Sequence, residues 1–62
     1  MLLQVMGKNK ETHEEEVFDL TLSNSEVACV YKDKYGVAVS TKQGKVYRVT
    51  QKMDELVEQL MT

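Results

Sequence analysis

The residues best suited to chemistry are His13-Glu14-Glu15-Glu16 and the single thiol, Cys29. On an extended strand His13 and Glu15 share a face, so an imidazole and a carboxylate could touch one metal ion. A catalytic zinc needs three protein ligands and a structural one usually four, drawn mainly from Cys and His. One His and one Cys do not supply them. The stretch therefore reads as a solvated acidic loop, and no metal ligand is expected. A nucleophilic Cys29 would need a base. His13 is the sole imidazole, and nothing in the spacing brings the two together. Cys29 lies in the apolar run Val27 to Tyr31 and reads as a small hydrophobe. There is no glycine-rich phosphate loop, no Ser-His-Asp set and no carboxylate pair in an apolar setting. The chain reads as a non-enzyme without catalytic residues or cofactors.

A second group suits binding. Tyr31, Tyr35 and Tyr47 interleave with Lys32, Lys34, Lys42, Lys45 and Arg48. Proteins that bind single-stranded nucleic acid combine basic grooves with aromatic platforms on a sheet. These eight residues are the candidate contacts for a partner or for nucleic acid. The competing reading packs the tyrosines across strands and uses the lysines to shield an edge.

The elements that position these groups follow from periodicity. Leu2 to Met6 reads as a first strand, followed by a turn at Gly7-Lys8-Asn9-Lys10, whose Gly and Asn suit positive φ. Phe18, Leu20 and Leu22 alternate with Asp19 and Thr21, the period of a half-buried strand. Val27 to Tyr31 is apolar on both faces and reads as a central strand. Tyr35 to Thr41 puts Tyr35, Val37, Val39 and Thr41 on one face, and Lys42-Gln43-Gly44 closes a hairpin to Lys45 to Thr50. Met53, Leu56, Val57, Leu60 and Met61 form one helical stripe. Asp54 and Glu55 in the first turn complement the helix dipole. The fold class is α+β: one domain over 1–62, a small antiparallel sheet of four to five strands followed by one C-terminal amphipathic helix.

Size and charge bound the rest. A chain of 62 residues buries only about 60% of its unfolded surface, so its core is marginal. With one cysteine it has no internal disulfide. Association is the remaining device, and one helix leaves a sheet face or an edge strand uncovered, so a homo-oligomer or a protein partner is expected. The net charge of −2 is unevenly divided. Residues 11–26 carry Glu11, Glu14, Glu15, Glu16, Asp19 and Glu26 without a Lys or Arg. Residues 32–52 carry Lys32, Lys34, Lys42, Lys45, Arg48 and Lys52 against Asp33 alone. No apolar run reaches the roughly 20 residues of a membrane span, so no membrane partner is expected. The lone thiol and the short apolar start, without a basic leader, point to the cytoplasm.

The segment from Glu26 to Leu60 resembles the first half of a LytTR-type DNA-binding domain. It carries an acidic residue and apolar strand (Glu26, Val27 to Tyr31), a polar turn, a second strand, the Gln43-Gly44 dipeptide, a third strand and a Leu-x-x-Leu-like helix. The likeness covers a little over half of the chain. The family's further strands, with much of its base-contacting surface, have no counterpart in these 62 residues. The resemblance implies a related sheet-and-helix unit and transfers no DNA-contacting residue. The reading that follows is a small regulatory or protein-binding module acting as a homodimer, of the kind a phage or mobile element encodes. The alternative is a nucleic-acid binder using the basic, tyrosine-bearing strands.

Overall fold

The computed structural model describes residues 1–61. Five strands form one antiparallel sheet: β1 (Leu2–Lys8), β2 (Glu15–Thr21), β3 (Val27–Asp33), β4 (Gly36–Thr41) and β5 (Val46–Val49). Their order across the sheet is β2-β1-β5-β4-β3. A short 3-10 turn, Asn24–Glu26, precedes β3, and the helix α1 (Met53–Met61) ends the described chain.

Alternation sorts the side chains onto two faces. Leu3, Val37, Val39 and Val49 join Leu56 of α1 in a buried core. Met1, Val5, Leu20, Leu22, Val27, Val30 and Met53 pack around it. The helix thus covers one face, and the other has no covering element among the described residues.

The sheet consists of two parts joined at a narrow seam. β1 and β2 pair along seven residues, and β3, β4 and β5 form a meander. Between β1 and β5 only Val5 and Val49 are paired. Thr50 N adds a bond to Gln4 O (3.0 Å), and there the chain turns away toward the helix. Backbone groups of β1 that would face a longer β5 are taken by two glutamine amides. Gln51 accepts from Gln4 N (2.9 Å) and donates to Leu2 O (3.0 Å). Gln59 accepts from Leu2 N (2.8 Å) and donates to the same Leu2 O (3.0 Å). The amides stand in for a missing strand and tie both ends of α1 to β1.

The structure corrects several expectations. β3 is an edge strand. It is apolar on both sides because a bulge at Ala28 shifts the register between Val27 and Cys29. Val27 and Val30, three apart, therefore both face the core. Gly7 and Lys8 belong to β1, and the turn runs from Asn9 to Glu14. Its left-handed residue is His13 (φ 61°). Asn9 organises that turn, because its Oδ1 accepts from Glu11 N (2.8 Å) and Thr12 N (3.3 Å). Gly7 instead leaves room for Phe18, whose ring would lie 3.3 Å from an added Cβ. Tyr35 sits in the β3–β4 turn and is 72% exposed. The helical stripe is narrower than its spacing implies: Leu56 is buried, but Val57 and Met61 are exposed.

Leu56→Ala is expected to cost about 2–5 kcal/mol, enough to unfold much of a marginal domain, as read by urea denaturation. Replacing Gln51 and Gln59 together by alanine removes partners from a partly exposed edge and should cost about 1–2 kcal/mol. It should also speed amide exchange at Leu2 and Gln4 ahead of β4.

Candidate functional site

The structure divides the eight candidate contact residues among four places. At the β3–β4 turn, Arg48 reaches across β4 to Asp33. Its Nη1 donates to Asp33 Oδ1 (2.8 Å) and to Gly36 O (3.0 Å), and its Nη2 donates to Asp33 Oδ2 (3.0 Å). Asp33 Oδ1 also accepts from Tyr35 N (2.9 Å), which fixes the turn. The Lys34 ammonium and the Arg48 guanidinium lie 5.0 and 5.9 Å from the centre of the Tyr35 ring. The paired guanidinium holds the Asp33 carboxyl below its ordinary range, against a smaller opposing effect of desolvation. Asp33 in turn raises Arg48. Arg48 is thus committed to an internal fork of bonds.

Tyr31 lies on the open face, cross-strand from the fully buried Ala38, and Arg48 flanks Ala38 from the other side. Tyr47 pairs with Val39 and Lys32 with Val37, so both belong to the helix face. Lys32, Val37, Val49, Gln51, Met53 and Asp54 line an open groove of about 470 Å³ beside the start of α1. Lys42 and Lys45 occupy the β4–β5 turn, at the other end of β4 from Lys34 and Tyr35. With about 3.3 Å per residue, β4 separates these two basic ends by roughly 20 Å. Tyr31 and Tyr47 project on opposite sides, so the three tyrosines share no face.

The groups considered for catalysis are also apart. His13 is in the β1–β2 turn, whereas Cys29 lies on the opposite edge of the sheet. The Cys29 thiol is exposed, and its Sγ lies 2.9 Å from Ser40 Oγ in a hydrogen bond that either group can donate. Among the described residues no three His, Cys, Asp or Glu side chains are arranged to hold a metal ion. None of the described helices is long and apolar enough to cross a membrane.

Two other surfaces emerge. The first is the uncovered face, where Leu2, Met6, Val17 and Val46 are 41–57% exposed. Met6 and Val17 are direct cross-strand neighbours. The alternation of Leu2, Gln4 and Met6 against Leu3 and Val5 was the available signal for it. The second is the outer edge of β2. Beyond the core, every residue from Lys10 to Asp19 is exposed. The radius of gyration, 11.8 Å, exceeds the about 10.6 Å of a compact chain of this length. The far end of the β1–β2 hairpin accordingly projects as a two-stranded ribbon.

No family model, curated protein or solved structure matches this chain.

The Asp33–Arg48 pair makes a pH prediction. Because the folded carboxyl titrates below 3.8, its stabilisation is complete above that value and is lost as the pH falls through the lower folded one. Asp33→Asn should lower the thermal midpoint at neutral pH. The gap to the native chain should close on acidification through this window and return on neutralisation.

Proposed function

We propose that this chain is a non-enzymatic, regulatory protein-binding module that works as a homodimer in the cytoplasm. The observation that carries this reading is the uncovered sheet face with Leu2, Met6, Val17 and Val46 exposed on it. Adjacent exposed apolar side chains on an otherwise unpartnered face, as at Met6 and Val17, are a common mark of an interaction surface. The core adds weight, since five buried side chains form its centre. A second copy laid on the open face would extend that burial to both sides of the sheet.

The edges fit this role less well for self-pairing. β3 is bulged at Ala28 and carries Lys32, with Lys34 just beyond it. β2 carries Glu15, Glu16 and Asp19. Both devices discourage edge-to-edge association of identical chains. Face-to-face pairing keeps the charged residues Lys8, Glu15 and Asp19 alongside the apolar positions, where they can fix register. In a reducing compartment the exposed Cys29 thiol stays free.

The test is the solution mass by light scattering across a concentration series. The native chain should have the mass of a dimer. Met6→Glu combined with Val46→Glu should give a monomer that keeps its circular dichroism spectrum. A native chain that is monomeric at its highest soluble concentration overturns the reading.

A further inference from the structure

We infer that the outer edge of β2 is a docking strand for an extended, cationic segment of another protein, which adds to the sheet as a sixth strand. This deepens the protein-binding reading above and rests on it, but uses the backbone edge of β2, which adjoins the apolar face and shares Glu15, Val17 and Asp19 with it.

The free edge follows from the hydrogen-bond alternation of antiparallel strands. Leu22 N donates to Met1 O and Asn9 N to Glu14 O, both at 2.9 Å. The Met1 ammonium donates back to Leu22 O (2.6 Å). Met1–Leu22 and Asn9–Glu14 are therefore inward-bonding pairs. By the same register so are Leu3–Leu20, Val5–Phe18 and Gly7–Glu16. The N–H and C=O groups of Glu15, Val17, Asp19 and Thr21 consequently point away from β1. β2 is the last strand on that side. Its pairing with β1 runs without a register shift, and it contains no proline. It thus lacks the backbone devices that usually close an edge, and offers the ladder that strand addition needs.

Charge selects the occupant. Glu15 and Asp19 project on the open-face side of β2, and Glu16 on the helix side. Glu11 and Glu14 lie just before it, and no Lys or Arg occurs in residues 11–26. If two copies paired through β2, carboxylates from both would crowd one short ladder, which is unfavourable. A segment with Lys or Arg at alternate positions meets the opposite condition. Exposed Val17 and Phe18, one on each side of the strand, provide apolar neighbours for a Val or Ile at its centre. The matching partner has a short extended segment, apolar in the middle and basic toward the end that meets Glu14 to Glu16.

The experiment uses the whole chain labelled for amide exchange and three synthetic probes. The first is a blocked peptide of alternating Lys and Val. The second replaces each Lys by Glu. The third keeps Lys but methylates every internal backbone nitrogen, so that charge survives and strand pairing through either edge does not. The Lys peptide should protect the amides of Glu15, Val17, Asp19 and Thr21, with an affinity that falls as salt is raised. The Glu and N-methyl peptides should not protect them. Glu15→Lys with Asp19→Lys should weaken the Lys peptide by about tenfold or more. The Met6→Glu, Val46→Glu variant should still bind it, which separates this edge from the dimer face. Equal binding by the N-methyl peptide would reduce the effect to diffuse charge and overturn the proposal. So would absence of binding, or protection of the four amides that rises with protein concentration alone, since that marks self-pairing.

Discussion

The structure depends on how β1 satisfies its backbone where β5 leaves it. A buried or half-buried strand cannot leave a row of amide groups unpaired without cost. β5 provides one paired position and then turns toward the helix. Gln51 and Gln59 fill the gap with carboxamides, which present a donor and an acceptor as a peptide group does. The same bonds hold α1 over the sheet, so Leu56 can close a core that has few other members. Covering one face, closing the edge of β1 and joining the two halves of the sheet are one act of docking.

This economy shapes the surface. A nine-residue helix held near the seam can cover the helix side of the sheet, but only there. The opposite face keeps exposed aliphatic side chains, relieved by the Arg48–Asp33 fork that shields Ala38 and Gly36. The distal hairpin lies outside the core and is built from polar turn chemistry around Asn9. The charge division of the sequence becomes in part a spatial one: carboxylates on β2, with Lys8 opposite Glu15, and further cations on the turns and edge of the meander.

Much of the fold was legible in the sequence, because period-two and helical patterns survive in so short a chain. Phe18, Leu20 and Leu22 alternate as expected, and Leu20 and Leu22 reach the core. The placement of β3 was not legible. A bulge at Ala28 makes a one-sided edge strand look apolar on both sides, and a single extra residue leaves no compositional trace. The first turn reads two residues early, at Gly7 to Lys10, because His13, rather than Gly7, takes the left-handed conformation, held there by bonds that sequence does not display. Gln51 and Gln59 carry no pattern in the sequence that marks them. Their role appears only when strands distant in sequence are side by side. The eight basic and aromatic candidates were legible as residues but not as a surface, since the hairpin turns send them to different ends and faces.

The strand order has one more consequence, and it is kinetic. Every ladder except the seam joins strands adjacent in the chain, so each half can form from local pairings with little loop entropy to overcome. Val5 meeting Val49 is the single non-local ladder event. The search for the native topology is concentrated in that one encounter, as it is when two prefolded pieces dock. Folding of a chain with this arrangement waits on closing the long loop between β1 and β5.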